Sequence, residues 1–502
     1  MNIFFEQNGP AVSITGFLDK AAYSECSDCL GFELEHFIVT QETGQPVGYL
    51  SEDTKDEACV EQIMLTLASS YEQSIYERGS DGKDHLFGLT RGYTALSLEP
   101  GAQLEISIGP LRRLREIEQE YHRFRSELDP VIEALGLKLA LVGYHPTAQA
   151  HNIPLIPKLR YQFMDQHFAS TGRHGICMMR ATASTQVSVD YLDQDDAIQK
   201  LRVATALGPL LAFLTDNSPV FESAQIGALG ASLPTDRTVD SATDEITGAA
   251  TVTNNARVTS LNRSIDKTNS ELVTPSGLAL PNRMARMACW DDTDPDRSLV
   301  PPGLFDDDFD FYHYAQGLLR APAIFTPAGQ TATAAAAQML DSEKPLEYTG
   351  FRSFNELLSS EALDDAAILH ILSMFFYDAR FKSYVEIRQA DALPFEYALA
   401  YTALIKGVFY NPAAVEYYST RFTFMDATQV AFAKTALRKS GYDALVYRRA
   451  VHEWLDELLE FARAGLPKGE LEYLAPLAQL IETRRTVLDL HYEKCPFAPH
   501  AR

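Results

Sequence analysis

Four short segments of the chain alternate apolar and polar residues in the manner of β-strands, and this pattern limits the possible folds more than any other feature. Their polar positions carry carboxylate, amide or guanidinium groups instead of small solvated ones. The segments read GFELEHFIV, SLEPGAQLEISIG, STQVSVDY and SYVEIRQAD. Any one of them is compatible with an edge strand that has a solvated face. Their repetition favours a sheet with one apolar face under helices and one polar face around a site.

Two of these segments place acidic side chains close together. Glu33 and Glu35 share one face of the first segment, and Glu105 lies on the polar face of the second, which also contains Glu99. Carboxylates at positions i and i+2 of a strand lie about 7 Å apart at Cα, so both can lean towards one Mg²⁺ ion. Without a cation such carboxylates repel one another and their pKa values rise. The pattern therefore predicts a metal ion, a partner arginine or open water.

The other two segments add an amide and a guanidinium group. Gln186 lies on the polar face of the third segment, and Glu386 and Arg388 share a face of the fourth. A sheet face that combines these groups with the acidic pairs is suited to a magnesium–nucleotide cavity. The pattern by itself indicates nothing more specific.

Composition and charge exclude several kinds of partner. The 502 residues include 43 Lys and Arg against 68 Asp and Glu, a formal net charge of −25, so binding of nucleic acid or of an anionic membrane surface is not expected. No run of 18 apolar residues occurs, and the start of the chain lacks a basic segment followed by a long apolar one. We therefore expect a cytoplasmic protein without a membrane span, whose substrates are small molecules.

The cysteines and the common motifs point to no further site. Six cysteines in a chain of this length are too sparse for a disulfide framework, so reduced thiols are expected. Cys26 and Cys29 form a lone CxxC motif, for which two ordinary thiols are a simpler interpretation than zinc or a redox centre. The chain has no GxxxxGK[ST], HExxH or GxSxG motif and no GxGxxG after a strand. A nucleotide site must therefore use another architecture.

Helical spacing and composition predict how the chain is divided. Residues 54–78 and 111–136 have apolar positions at helical intervals, and Pro130 is expected to bend or split the second helix. The region 222–289 contains no Phe, Tyr or Trp, so a flexible insertion is expected at 222–284. From Asp391 onward the spacing is helical. The predicted division is a core at 1–391, interrupted by the insertion, and a helical region at 392–502.

Seven collinear segments resemble the glutamate–cysteine ligases of the plant and proteobacterial type, within the carboxylate–amine ligases related to glutamine synthetase. They are GFELEHF, LEPGAQLEIS, IPLIPKLRYQFM, GICMMRATASTQVSVD, DNSP, RMACWDDTDPDR and YVEIRQAD. The resemblance implies an α+β fold in which a glutamine-synthetase-like antiparallel sheet forms a bowl-shaped active site, with helices packed outside. It also implies Mg²⁺ as cofactor, with ATP, glutamate and cysteine as substrates.

The reaction implied by the resemblance is the ligation of the γ-carboxylate of glutamate to the amine of cysteine. It runs through a γ-glutamyl phosphate, gives γ-glutamylcysteine and is the first step of glutathione biosynthesis. A monomer or homodimer is expected.

The resemblance also assigns roles by position. The metal-binding carboxylates would be Glu33, Glu35, Glu99, Glu105 and Glu386. The ATP-binding residues would be Gln186, Arg380 and Arg388. The substrate-binding residues would be Arg160, Tyr161, Arg286 and Trp290. Glu386 and Arg388 would act in catalysis, since the planar fork of an arginine suits a pair of phosphate oxygens.

One departure from the family pattern leaves the amine acceptor open. After His145 and Pro146 the family carries a Trp-Arg-Arg-like stretch, whereas residues 147–151 of this chain read TAQAH. If the missing basic groups contact the acceptor, an amine other than cysteine is the alternative substrate. A non-catalytic nucleotide-binding relative is a second alternative, against which the retained carboxylates and Arg388 argue.

Overall fold

The computed structural model describes residues 9–22, 28–53, 58–226, 281–327, 346–358 and 362–493, together with Thr274 and Leu278. The predicted insertion at 222–284 therefore lies almost entirely outside the described residues, as does Cys26 of the CxxC motif.

A nine-stranded sheet forms the centre of the molecule. The strands of the described residues are β1 (Leu30–Thr40), β2 (Gln73–Arg78), β3 (Asp84–Arg91), β4 (Thr94–Leu98), β5 (Leu104–Leu111), β6 (Leu137–Ala140), β7 (Ser184–Val189), β8 (Val220–Phe221), β9 (Ala224–Gln225), β10 (Pro322–Pro327), β11 (Leu346–Ser353), β12 (Ala379–Phe381), β13 (Val385–Asp391), β14 (Leu445–Val446) and β15 (Arg449–Ala450). Three separate two-stranded sheets are formed by β8 with β9, β10 with β11 and β14 with β15. The order in the large sheet is β12-β13-β7-β1-β5-β4-β3-β2, with β6 beside β1. Every pairing in it is antiparallel.

Helices surround this sheet, so the expected α+β fold with a large antiparallel sheet is confirmed. The α-helices are α1 (Pro10–Ala21), α2 (Val60–Leu67), α3 (Leu114–Ala134), α4 (Leu159–Thr171), α5 (Gly175–Ala181), α6 (Gln194–Leu214), α7 (Ala285–Asp291), α8 (Phe311–Arg320), α9 (Phe354–Leu357), α10 (Asp365–Ser373), α11 (Phe395–Phe409), α12 (Pro412–Arg421), α13 (Ala427–Ser440), α14 (Val451–Gly465), α15 (Ala475–Glu482) and α16 (Val487–Glu493). Short 3-10 helices are Ser51–Asp53, Ala68–Ser70, Ala150–Asn152, Gly441–Asp443 and Lys468–Leu474.

The two helices predicted near the start of the chain have different outcomes. The prediction for 54–78 is wrong beyond Leu67, because Gln73–Arg78 pairs with β3 as an edge strand, and that pairing overrides a helical spacing of apolar residues. Pro130 does not split the second helix, which continues from Leu114 to Ala134.

The register of the strands brings the polar positions to one face. Glu35 of β1 lies directly opposite Glu105 of β5, and Glu33 lies opposite Gln186 of β7. Phe32 and Leu34, which alternate with these glutamates, are fully buried. Because directly opposed residues have Cβ atoms about 5 Å apart, the antiparallel pairing collects carboxylates that are far apart in sequence.

Helix α6 is long and apolar enough, by length and composition alone, to cross a membrane. Of that apolar window 89% is buried inside the fold. A core helix has the same properties, and α6 packs against β12 and β13.

The helices after β13 pack closely on the sheet and on the earlier helices. Helix α11 contacts β1, β7 and α3, and α13 contacts α6. Lys406 of α11 pairs at 2.5 Å with Glu470, whose other oxygen accepts from the backbone nitrogen of Leu114. The division into a core and a region at 392–502 stays a prediction.

The expectation of reduced thiols is wrong for Cys29. This residue is disulfide-bonded, whereas Cys59, Cys177 and Cys289 are free and buried. A low cysteine count argues against a framework of many disulfides, but it does not argue against a single bond.

Candidate active site

A polar cavity of about 310 Å³ lies on the polar face of the sheet, bordered by α4, α5 and α7. It brings together ten of the twelve residues predicted from the sequence. They are Glu33, Glu35, Glu99, Glu105, Arg160, Tyr161, Gln186, Trp290, Arg380 and Arg388. Glu386 and Arg286 do not line the cavity; both contact Arg388, which does. The roles assigned to these residues stay predictions.

We call Glu33, Glu35, Glu99 and Glu105 the acidic end of the cavity. Glu35 is held by three donors, because its carboxylate accepts from the backbone nitrogen of Ser184 at 2.8 Å, from Ser184 Oγ at 2.8 Å and from Gln186 Nε2 at 3.0 Å. Glu105 accepts from Ser97 Oγ at 2.7 Å. None of the four forms an ion pair with a described residue, so their charge is not neutralised at close range.

The pKa values at the acidic end are raised. Burial, and then the neighbouring Glu105, raise the pKa of Glu33 to about 7. Burial and Glu35 raise the pKa of Glu99 to about 7, and burial, Glu99 and Glu35 raise the pKa of Glu105 to about 8. The pKa of Glu35 is also raised by burial, against the opposing effects of Arg286 and Ser184. Like charges in a desolvated site have this effect.

The acidic end is chemically suited to a hard divalent cation. Within the described residues, no three His, Cys, Asp or Glu side chains converge closely enough to hold one metal ion as they are placed. The fit therefore rests on the donor set: Glu35 is buried and the other three carboxylates are half-buried, and carboxylates without a paired cation that face one cavity are costly without a positive charge. Mg²⁺ prefers such oxygen ligands. Glu33, Glu35, Glu99 and Glu105 would hold it.

We call Arg380, Lys382 and Arg388, together with Glu386, the cationic end. Glu386 is fully buried, with Lys382 Nζ 2.7 Å from its Oε1 and Arg388 Nη1 2.8 Å from its Oε2. Arg380 Nε donates to the same Oε2. Burial alone would raise the pKa of Glu386, but these three cations hold that pKa well below its usual value. Glu386 thus acts as a counter-ion behind the cavity in this arrangement.

Arg388 connects the cationic end to the middle of the sheet. Its Nη1 also donates to Gln186 Oε1, and Gln186 in turn donates to Glu35. The guanidinium carbon of Arg388 lies 5.9 Å from the ring centre of Trp290. Glu35, Gln186, Arg388 and Glu386 are therefore linked by a continuous hydrogen-bonded chain across three strands.

Arg160 differs from the other cations that line the cavity. Lys158 pairs with Glu77 at 3.1 Å, and the arginines and lysine of the cationic end pair with Glu386. Arg160 forms no ion pair with any described residue, and its buried Nε has no hydrogen-bond partner. It lies 5.4 Å from the ring of Tyr161, whose hydroxyl donates to the carbonyl of Leu98. The Arg160 guanidinium is thus available to an anionic ligand.

Arg286 supports the cavity wall from behind. It is 3% exposed and donates to the backbone oxygens of Arg388 and Gln389 at 3.2 and 3.3 Å. Its guanidinium carbon lies 5.6 Å from the ring centre of Trp290. The tryptophan ring thus contacts two guanidinium groups, one of which also lines the cavity.

Sequence reasoning missed two lysines of the site, Lys158 and Lys382. Lys158 precedes α4, where strand alternation carries no information, although it belongs to the IPLIPKLRYQFM segment. Lys382 lies between β12 and β13, and its partnership with Glu386 arises from that turn. Met178 and Met179, together with Met164, form an apolar part of the lining.

A second cavity of about 380 Å³ adjoins the first and shares Glu33 with it. It is lined largely by apolar groups, including Phe32, Ile108 and Val189, with the phenol ring of Tyr384 at one side. The two cavities together offer a charged compartment and an apolar compartment on the same sheet.

Comparison with known proteins identifies the class and then the family. The sequence model of glutamate-cysteine ligase family 2 (GCS2) matches residues 29–490, a range that contains every residue of the polar cavity. The protein is therefore an ATP-dependent carboxylate–amine ligase. It belongs to glutamate-cysteine ligase family 2, and its reaction joins glutamate and cysteine to give γ-glutamylcysteine.

Curated relatives agree with this assignment over most of the chain. The chloroplastic glutamate–cysteine ligase of Medicago truncatula is 25% identical over 86% of this chain and 75% of its own. That of Solanum lycopersicum is 24% identical over 96% and 79%, and that of Arabidopsis thaliana is 26% identical over 77% and 60%.

The same relatives overturn the expectation of a cytoplasmic protein. All three are named chloroplastic, so the comparisons do not support a cytoplasmic location. Net charge and the lack of a long apolar run do not distinguish the cytoplasm from another aqueous compartment, which is why the composition misled.

A solved structure is also similar to this chain. It is the glutamate–cysteine ligase of Francisella tularensis in complex with AMP, which is 11% identical, covers 94% of this chain and 85% of its own, and has a TM-score of 0.48. Similarity at that level adds no constraint on the site.

Proposed function

We propose that the ligation proceeds through a γ-glutamyl phosphate with Mg²⁺ as cofactor, and that it is the first step of glutathione biosynthesis. The observation that carries this proposal is the division of one cavity into an acidic end and a cationic end. ATP-dependent activation of a carboxylate requires both, because the metal needs carboxylate ligands and the transferred phosphoryl group needs positive charge around it.

The acidic end would hold Mg²⁺, which when bound neutralises charge on the phosphates of ATP. Arg388 and Lys382 line the cavity next to this end and would contact phosphate oxygens. Glu386 keeps both side chains fully charged and fixed in direction, since it pairs with each of them. Pre-organised cations of this kind stabilise developing charge without rearranging during the reaction.

The chain need not supply a nucleophile. The γ-carboxylate of glutamate attacks the γ-phosphorus of ATP and ADP leaves, after which the amine of cysteine attacks the γ-carbonyl carbon and phosphate leaves. The work of the protein is then to position three substrates. Arg160, which has a guanidinium free of ion pairs within the described residues, would bind the α-carboxylate of an amino-acid substrate.

The apolar second cavity would accept the adenine base of ATP. It adjoins the acidic end through Glu33, and Tyr384 follows Lys382 by two residues. A base placed there would direct its phosphates towards the cationic end. Aromatic and aliphatic side chains with a few polar groups are the usual lining of a nucleotide-base pocket.

Two observations favour cysteine over another amine. The altered stretch at 147–151 contributes no residue to the polar cavity, so the loss of its basic groups does not change the lining. Met164, Met178 and Met179 provide a polarisable apolar wall, which suits a thiol better than a hydroxyl or an ammonium group.

The experiment that tests the proposal is phosphate release from Mg-ATP in the presence of glutamate. Cysteine would be compared with serine, glycine and 2-aminobutyrate, and products would be identified by mass. Cysteine-dependent release with a mass of γ-glutamylcysteine is expected. Release with a different amine only would favour the alternative acceptor, and nucleotide binding without release for any amine would favour the non-catalytic alternative.

A further inference from the structure

Lys434, on helix α13, is a buried cation outside the cavity. It is 3% exposed, and its Nζ lies 2.7 Å from Asp291 Oδ1 and 2.6 Å from Asp378 Oδ2. Asp291 ends helix α7, and Asp378 immediately precedes β12. One ammonium group from the predicted C-terminal region thus joins two segments that are more than 80 residues apart in the chain.

Each of the two aspartates is attached to a residue of the polar cavity. Asp291 follows Trp290 directly. The backbone oxygen of Asp378 accepts from the backbone nitrogen of Arg388 at 2.9 Å. The bridge made by Lys434 therefore connects the aromatic wall of the cavity to the strand that carries its arginine.

The cluster is balanced in charge and separate from the substrates. Arg438 Nη1 lies 2.7 Å from Asp291 Oδ2, so two cations face two carboxylates. None of the four residues lines the polar cavity. They can influence the reaction only through the residues to which they are joined, Trp290 and Arg388.

We propose that Lys434 is a positioning residue of the active site, and that its bridge between Asp291 and Asp378 fixes the distance between Trp290 and Arg388. It acts on the binding of substrates to the cavity, and in that respect the inference rests on the proposed function. A misplacement of about 1 Å can cost about 100-fold in rate. A bridge that does not contact the substrate can therefore still change the catalytic rate.

A matched control is available in Lys406. This lysine is also buried, on helix α11, and its Nζ lies 2.5 Å from Glu470 and 2.7 Å from the backbone oxygen of Arg112. Neither partner lines the cavity. Replacing either lysine by methionine removes a buried ammonium group from a buried carboxylate, but only the Lys434 variant loosens the segments behind Trp290 and Arg388.

The test compares Lys434→Met, Lys434→Arg and Lys406→Met in the full chain, well below the unfolding temperature of each. We expect Lys434→Met to lower kcat/KM for ATP or glutamate about tenfold or more. Lys434→Arg should keep most of the kcat/KM of the unmodified protein. Lys406→Met should leave kcat/KM unchanged despite a loss of stability. Equal kinetics for Lys434→Met and Lys406→Met would overturn the proposal.

A second readout does not depend on turnover. The chain has two tryptophans, so in a Trp454→Phe background the fluorescence reports Trp290 alone. Lys434→Met is expected to shift its emission, whereas Lys406→Met is not. Should Lys434→Met fail to fold, Asp378→Asn removes one arm of the bridge and must give the same shift. An unchanged emission in a folded variant would refute the positioning role even if the ligase reaction itself is confirmed.

Discussion

The two ends of the cavity contain the same kind of side chain in opposite electrical surroundings. Glu33 of β1 and Glu386 of β13 lie on the two strands that flank β7, opposite Gln186 and Ser188 respectively. Three cations lower the pKa of Glu386 far below its usual value, whereas the pKa of Glu33 is raised to about 7. Both carboxylates belong to the same sheet, where Glu386 is fully buried and Glu33 is half-buried.

The difference shows that burial alone does not define the role of a carboxylate. Glu386 is neutralised within the protein, so it orders Arg380, Lys382 and Arg388. Within the described residues the acidic end has no such partners, and a cation from solution would lower its free energy. One end of the cavity is complete in the protein, and under the proposed function a bound cation would complete the other.

The largest expected effect comes from the acidic end. Glu35→Gln removes one charge while keeping the shape and most of the hydrogen bonds to Ser184 and Gln186. We expect ligase activity to fall about 1,000-fold, because the proposed metal site would lose a ligand, and the fold to remain intact. Steady-state rates and circular dichroism check this, with Glu347→Gln at an exposed strand position as the control. Near-normal activity would remove Glu35 from the metal set.

Loss of the carboxylate at the cationic end should lower the free energy of unfolding. Glu386→Gln leaves three cations without their counter-ion, and loss of one partner from a buried ion pair costs about 3 kcal/mol or more. Glu105→Gln, measured without metal, is expected to cost nothing at pH 7, since it removes a carboxylate whose pKa is about 8. Urea unfolding in the presence of EDTA measures the free energy of unfolding of each of these two variants. Equal losses would contradict the contrast between the ends.

Substitutions of Arg160 and Arg286 show which of the two guanidinium groups contacts a substrate. Arg160→Ala is expected to raise KM for an amino-acid substrate about tenfold with a smaller change in kcat, because a uniform binding contact is lost. Arg286→Ala also raises KM, through movement of Trp290, and we expect a smaller increase. Arg123→Ala, at an exposed position on α3, is the control. An unchanged KM for both amino acids in Arg160→Ala would exclude it as a substrate ligand.

The smallest expected effect lies outside the cavity, at Asp216. Burial, and then Asp391, raise the pKa of Asp216 to about 8 from a usual value of 3.8. The folded state therefore holds a proton that the unfolded state has lost above about pH 4. The stabilisation is complete below that pH and is lost as the pH rises through about 8.

Asp216→Asn mimics the protonated form and should remove this dependence. We expect the unfolding temperature of the unmodified protein to fall by a few degrees relative to this variant between pH 5 and pH 8. Asp195→Asn, at an exposed position on α6, should leave the pH profile unchanged. Parallel profiles for the unmodified protein and Asp216→Asn would show that Asp216 is ionised in the fold at neutral pH.

The sequence predicted the polar face of the sheet because alternation is a local property. Glu33, Glu35, Glu105 and Gln186 lie on strands where the two-residue period places them, and the antiparallel register then brings them together. Residues outside strands, such as Arg160 and Trp290, could be identified only through the family resemblance.

Other features depend on contacts that no local pattern contains. The pairing of Glu386 with Lys382 depends on the turn between β12 and β13, and the edge strand Gln73–Arg78 depends on its pairing with β3. The bridge made by Lys434 joins three segments that are distant in sequence. Tertiary structure decided each of these.

The most direct test of the account is the binding of Mn²⁺, as a paramagnetic substitute for Mg²⁺, in the presence of a non-hydrolysable ATP analogue. Relaxation of water protons would report bound metal in the unmodified protein and in the double variant Glu35→Gln, Glu105→Gln. We predict tight binding to the unmodified protein and at least a tenfold loss in the folded double variant. Equal affinity in both would contradict the claim that a cation from solution completes the acidic end.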